Sequence, residues 1–371
     1  MTVLLSVLAF FFLLTVLILI HEWGHFIAAR KSGVTVEEFG FGFPPRAKTL
    51  FKQGGTIFTL NWIPFGGFVR LKGENAANEN ERKAHGSFGS VPIYKRVIIL
   101  VGGVFMNFVL AITLLTIGFS VGQWIPTFFT LEQMELAAEE GIINLELGVL
   151  IQDVTSGGSA ARVGVPPHSV LVSVDGQDVS VPTDVPALQE GKLRVVYAVR
   201  TGPDLSEEAK YTVPLEEGKA GVELVPFPLE LSAPRHGVVL ALQLAFRETW
   251  AMSWQTVKGI GHLFKTLAFT GRVPEGIAGI VGIAQLTYSS VQEGFMTYLR
   301  LVALLSLSLA VLNILPFPAL DGGRLVFVVA ELISNRPINR RFELMTNALG
   351  FLFLISLLLL ITFYDVVRLF S

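Results

Sequence analysis

Apolar positions fall in long blocks along this chain, and polar positions gather between them. Residues 3–29, 93–121, 297–315 and 345–364 are four blocks long enough to cross a bilayer, which takes about 20 residues. A fifth apolar stretch, 236–269, is interrupted by Arg247, Glu248, Lys258 and Lys265 and carries Trp250 and Trp254. That pattern predicts an amphipathic helix lying at the membrane interface, where tryptophan is favoured. Between the first two blocks, "VTVEEFGFGF" and "TIFTLNWIPFGGFVRL" mix β-branched and aromatic residues with glycine at turns, which predicts strands. Their apolar character predicts a small sheet leaning toward the membrane. The "GENAANENERKAHGS" that follows is polar and is expected to be mobile.

The region 146–231 changes to short alternating runs. "LGVLIQDVTSGGSAARVGVPPHSVLVSVDGQDV" predicts a strand at 149–154, a short helix starting at Ser159, a strand at 169–174 and an Asp175-Gly176 hairpin turn. Further strands are expected at 193–200 and 209–214. The pattern occurs in one copy.

Composition supports the membrane reading. Of 371 residues, 51% are hydrophobic and 16% charged, against about 25% charged in soluble domains. The mean hydropathy is +0.59. The formal net charge of −2 says nothing about nucleic acid, and no block of basic residues resembles a nucleic-acid-binding arm, so no such partner is expected. With no cysteine, disulfides, thiolate ligands and a cysteine nucleophile are excluded, and any metal must be held by His, Asp or Glu. No basic n-region precedes the first block, so it reads as a retained transmembrane helix rather than a cleaved signal peptide.

Charge sets the expected orientation. The 30–96 loop holds Arg30, Lys31, Arg46, Lys48, Arg70 and Lys72 among others, and the loop before the last block holds Arg336, Arg340 and Arg341. The long central segment is mostly acidic. Because basic loops stay inside, both are expected to be cytoplasmic, with the central segment and both termini extracytoplasmic.

The first block runs straight into His21-Glu22-Trp23-Gly24-His25, an H-E-x-x-H motif. On a helix, residues four apart share a face, so both imidazoles reach one metal, with Glu22 beside it to polarise water. Zinc needs a third protein ligand and keeps one open position. A chance match is disfavoured by cost, because an ionisable group in a membrane helix is unfavourable by about 2.5–3.5 kcal/mol. The third block ends in "LNILPFPALDGGRL", where Pro316 and Pro318 break the helix before Asp321. Asp321 suits a third ligand; it also suits the N-cap of a following helix.

These two motifs together resemble the site-2 proteases, intramembrane zinc metalloproteases. The order of elements is similar to that of the bacterial regulator-of-sigma-E protease (RseP) group, over nearly the whole chain. The resemblance implies an α-helical integral membrane protein with four transmembrane helices, a membrane-associated β-rich cytoplasmic loop and one extracytoplasmic PDZ-like α+β domain. Its divisions are an N-terminal membrane part (1–121), a linker (122–145), the PDZ-like domain (146–231), the interfacial helix and connector (232–296) and a C-terminal membrane part (297–371). Known members of the group carry two PDZ domains in tandem.

The resemblance carries over residue by residue. His21, His25 and Asp321 match the zinc ligands, one ion per chain, and Glu22 the catalytic glutamate. Asn313 matches the asparagine placed to assist at the reacting backbone, followed by Pro316 and Pro318. Gly103 and Asn107 match a G-x-x-x-N pattern near the active site, which otherwise marks close helix packing. Gly66, Gly67, Phe68 and Val69 lie in the hairpin that would present substrate as an added strand. Pro316, Pro318 and Asn107 would complete the substrate site. Implied partners are the lipid bilayer and single-pass membrane substrates of the anti-sigma-factor or remnant-signal-peptide type, together with an upstream site-1 type protease. Two other classes use part of the same residues: a membrane metal-binding scaffold or transporter without protease activity, and a PDZ adaptor with a membrane anchor. The first has no need of Glu22; the second leaves His21, Glu22, His25 and Asp321 unexplained.

Overall fold

The computed structural model describes residues 2–74, 79–128, 130–202, 205–334, 336 and 338–370. The chain divides into two units, residues 1–121 with 237–371, and residues 122–236.

The larger unit begins with helix α1 (Thr2–Ser32). Gly33 ends it at φ +86°, and the Val34 N–H donates to the Ala29 carbonyl at 2.9 Å, the closing bond of a Schellman cap. Strands β1 (Val36–Gln53) and β2 (Thr56–Leu71) form an antiparallel hairpin. Its turn, Gly54-Gly55, has φ +56° and +84°, a pair of values that only glycine adopts without strain. Both strands are long and bent. Glu38 pairs with Arg70 and also with Ile57, while Phe51 pairs with Phe58. The hairpin therefore curls into four lengths of strand in the order 46–53, 56–61, 36–41, 67–71, which leaves 67–71 as an edge. Phe26 of α1 packs edge-on against Phe39 and Phe58, fastening the sheet to the helix.

After β2 comes the short helix α2 (Glu79–Lys83). Residues 75–78, part of the stretch expected to be mobile, lie outside the described residues. Helix α3 (Ile93–Ser120) packs on α1 along one face that includes Ile99, Gly103, Asn107, Ala111 and Leu115. The crossing is close because two glycines meet there: a methyl on Gly24 would overlap the Gly102 carbonyl. Small residues let membrane helices approach backbone to backbone in this way.

The second unit has its own core. Helix α4 (Leu131–Glu139) is followed by β3 (Asn144–Val154), the short helix α5 (Ser159–Arg162), β4 (Ser169–Val174), β5 (Gln177–Asp178), α6 (Asp184–Gln189), β6 (Arg194–Thr201), β7 (Glu207–Pro214) and β8 (Val222–Ser232). The antiparallel sheet runs β7-β6-β4-β3-β8, with β5 paired to β4. Val149, Ile151, Leu171, Val174, Tyr197, Val199 and Val213 fill its interior. Two features differ from the sequence reading. Residues 122–145 are not a bare linker: α4 buries Ala137, and β3 starts at Asn144. Strand β8 was not anticipated, because its two prolines, Pro226 and Pro228, argue against a strand; it is an edge strand on β3, where prolines are tolerated.

The chain then returns to the larger unit with α7 (Val238–Thr270), α8 (Ile280–Glu293), α9 (Phe295–Ile314), α10 (Asp321–Ser334) and α11 (Arg340–Phe370). Helix α7 buries Ala241, Leu244 and Ala245 against its neighbours and leaves Phe246, Trp250 and Trp254 exposed. The connector before α9 is itself helical (α8), and the segment between the last two spans contains α10. Among the described residues, helices α1, α3, α9 and α11 have the length and apolarity to span a membrane. Large apolar side chains such as Phe12, Phe105 and Phe351 stay exposed on them, as a lipid solvent permits and water does not.

Candidate metal centre

His21 and His25 lie one turn apart on α1, so their imidazoles leave the helix on one face. The two Nε2 atoms are 3.2 Å apart. Asp321 Oδ2, at the first residue of α10, lies 3.0 Å from His21 Nε2 and 3.2 Å from His25 Nε2. Pro316 and Pro318 end α9, and the chain reverses through Ala319 at φ +74°. Gly322 and Gly323 let α10 start against that reversal: a methyl on either would overlap the Leu315 or Phe317 carbonyl. The motif thus works as a shape that returns Asp321 to α1.

Hydrogen bonding defines what the three groups can hold. His25 Nδ1 lies 2.8 Å from the Ile99 carbonyl oxygen. A carbonyl only accepts, so Nδ1 is the donor, and in the neutral ring Nε2 is a lone pair. It faces Asp321 Oδ2, a buried oxygen that receives no hydrogen bond among the described residues. Acceptors that converge in this way need a cation between them. An ion with tetrahedral bonds of about 2.0–2.1 Å separates its ligand atoms by about 3.3 Å, near the spacings here. Two imidazoles and one carboxylate with a position to spare suit zinc.

Glu22, half-buried, shares a cavity of about 170 Å³ with His21, His25 and Asp321. Phe68 and Val69 of the β2 edge line the same cavity. The Val69 N–H hydrogen bonds the Glu22 carboxylate, and a methyl on Gly67 would lie 3.8 Å from Glu22 Cγ. The edge strand therefore passes directly beside the acid. Gly66 is buried in the same strand, where its φ of +84° brings its backbone against the Phe43 ring. Asn107 is fully buried behind His21, with Nδ2 3.4 Å from His21 Nδ1. Pro316, Pro318 and Asn313 do not line the cavity. Asn313 is half-buried in the last turn of α9, and its side chain makes no hydrogen bond among the described residues.

Two residues passed over in the sequence complete the wall. Arg324 and Glu74 form an ion pair at the cavity margin, joining α10 to the end of β2. Arg324 sits three residues after Asp321, so it returns to the same side of the helix start; that spacing was the available signal. Nothing in the sequence pointed to Glu74. Farther out, Glu331 of α10 receives Arg82 from α2 and Arg96 from α3. Burial alone would raise the Glu331 carboxyl, but the two guanidinium groups outweigh it and hold it below the ordinary range.

Four helices apolar enough to span a membrane, a largely buried His-His-Asp cluster and an adjacent glutamate together mark a membrane-embedded metalloprotease. The chain belongs to peptidase family M50, the site-2 proteases, whose model matches residues 9–357. It is 27% identical to the zinc metalloprotease RasP of Bacillus licheniformis, covering 98% of this chain and 99% of that one. A protein of Clostridium perfringens, provisionally named a zinc metalloprotease, is 29% identical over 99% of both chains. Another of Brucella suis, named in the same way, is 28% identical over 97% of this chain and 94% of its own. The protein is a zinc-dependent intramembrane protease.

Proposed function

We propose that His21, His25 and Asp321 hold the zinc ion, that Glu22 is the general base, and that the substrate is a single-pass membrane protein. The observation that carries this reading is the meeting of two imidazole nitrogens and an aspartate oxygen, a second carboxylate and a strand edge in one cavity. Zinc supplies Lewis acidity toward a water molecule and the scissile carbonyl. Glu22 takes the proton of the attacking water and passes it to the leaving amine. A helix hides its carbonyls, so the substrate must be extended to react. The unpaired side of Gly66–Val69 is suited to hold it as an added strand. Pro316 and Pro318 shape the turn that delivers Asp321. Asn313 and Asn107 are proposed to act around the site rather than on its wall.

The basic loops support a cytoplasmic position for the β-rich hairpin and for α10, in the inner membrane. Both termini and unit 122–236 are then extracytoplasmic. We read residues 146–231 as a PDZ-like domain, supported by its short strands and the two small helices α5 and α6. Substrates of the anti-sigma-factor or remnant-signal-peptide type, first trimmed by a site-1 type protease, fit that arrangement. The test is cleavage of a model single-pass substrate in detergent, with zinc counted per chain. Wild type is expected to cut, and Glu22→Gln to keep zinc while losing cleavage. A Glu22→Gln enzyme that still cut would remove Glu22 as the base. Zinc bound without cleavage of any substrate would favour the metal-binding scaffold.

A further inference from the structure

One face of α3 meets the metal centre at three positions spaced by four residues. Ile99 presents its carbonyl to His25 Nδ1. Gly103 leaves a gap: a methyl there would overlap His25 Nε2 and lie 2.8 Å from His21 Cε1. Asn107 presents its amide to His21 Nδ1 at 3.4 Å. Residues at i, i+4 and i+8 line one side of a helix, so a single face of α3 backs both histidines.

The two histidines need the same service. A ligating imidazole presents the lone pair of one nitrogen to the ion and donates its other N–H to an outer acceptor, which fixes tautomer and ring orientation. For His25 that acceptor is the Ile99 carbonyl. For His21 the group in place is Asn107, wholly buried, with an Oδ1 that has no hydrogen-bond partner among the described residues. If Nδ2 faced His21, the ring would have to accept at Nδ1 and carry its proton on Nε2, and such a nitrogen cannot bind an ion. Turning the amide by half a rotation exchanges two atoms of equal size. Oδ1 then accepts from Nδ1–H, and the Nε2 lone pair faces Asp321. The backbone is already braced for this: Ser306 of α9 donates its hydroxyl to the Asn107 carbonyl at 2.9 Å.

We infer that Asn107 is the positioning residue of His21, accepting its Nδ1–H through Oδ1 so that Nε2 is held as a zinc ligand. This rests on His21, His25 and Asp321 being the zinc site, and it places Asn107 behind a ligand rather than against substrate. The role is thermodynamic, so it is read in zinc affinity and not only in cleavage.

The experiment is zinc affinity of the purified full-length chain in detergent, by competition with a chelator. Wild type, His21→Ala, Asn107→Leu and Asn107→Asp are compared, with the visible absorption of the cobalt-substituted proteins as a spectroscopic check. Asn107→Leu keeps volume but removes the acceptor; it is expected to weaken zinc binding about 10- to 100-fold and to alter the cobalt spectrum. Asn107→Asp restores an acceptor and is expected to recover most of that loss. If Asn107→Leu does not fold, Asn107→Ser, too short to reach His21, is expected to show the same weakening. Unchanged affinity in Asn107→Leu or Asn107→Ser overturns the inference. Equal loss in Asn107→Asp and Asn107→Leu also overturns it, making Asn107 a packing residue. A wild type that binds zinc no better than His21→Ala would instead overturn the metal site itself.

Discussion

The missing side chain of Gly103 is what allows α3 to lie against both imidazoles. Gly103→Ala is expected to lower bound zinc well below one ion per chain while the helices still form, as measured by metal content beside circular dichroism. Gly24 has a different task. It touches the Gly102 backbone, so Gly24→Ala should push α1 from α3 and cost about 1–3 kcal/mol as an overpacked contact, read from the thermal midpoint in detergent. His21, Glu22 and His25 were legible as residues because their spacing matches a helical turn. Asp321 was legible because an acid after two prolines at the end of an apolar block is expensive without a partner. Glu74 was not legible, since nothing in its neighbourhood of sequence distinguishes it from any other loop glutamate.

Elements carry the geometry from one residue to the next. The β1–β2 hairpin reads as strands from its β-branched and aromatic residues, yet its curl into four lengths follows from long-range register and leaves the 67–71 edge beside Glu22. A proline at Val69 removes an edge N–H. Val69→Pro, which also takes away the N–H beside Glu22, is expected to reduce turnover strongly while zinc content stays at the wild-type level; unchanged turnover would argue against both that contact and an added substrate strand. At the far end of α11, Asp365 Oδ2 accepts the N–H groups of Gly279 and Gly282 at 2.8 Å each. It caps α8 from outside that helix. Asp365→Ala orphans two donors and should cost about 1–3 kcal/mol, seen as earlier melting without loss of zinc. Helix α8 was not anticipated because it is only 14 residues long and lacks the sustained apolar run that marked the spans; α10, equally short, was foreshadowed only by the fitness of Asp321 for a helix start.

For the molecule as a whole, the two units differ in what stabilises them. Residues 122–236 bury their own apolar core, so this segment by itself is expected to unfold as one cooperative transition. Within it, burial pushes the Tyr197 hydroxyl up to about 12, against the opposing hydrogen bond from Gln189. A raised pKa means that the stabilisation is complete below the unfolded value of about 10 and is lost as pH rises toward 12. Tyr197→Phe should therefore flatten the alkaline limb of its stability curve. The acid side belongs to the larger unit. Glu331 is held low by Arg82 and Arg96, so its contribution is present above the ordinary carboxylate pKa and fades as pH falls through the depressed value. Glu331→Gln is expected to reduce stability at neutral pH and to make the acid limb shallower, measured by thermal melts across pH in detergent.

What the sequence by itself determined is what local pattern and cost can encode. Four apolar blocks set four spans, helical spacing set the histidine pair, and the proline-broken block end set Asp321 as a partner in waiting. The tertiary structure decided which groups meet across hundreds of residues. It closed Asp321 onto His21 and His25, laid the β2 edge beside Glu22, and set one face of α3 behind both imidazoles. Those outcomes depend on two glycines touching across a helix crossing and on strand register within a curled hairpin. Neither leaves a mark on the period of hydrophobic residues, because both are contacts between backbones rather than a preference of any one side chain.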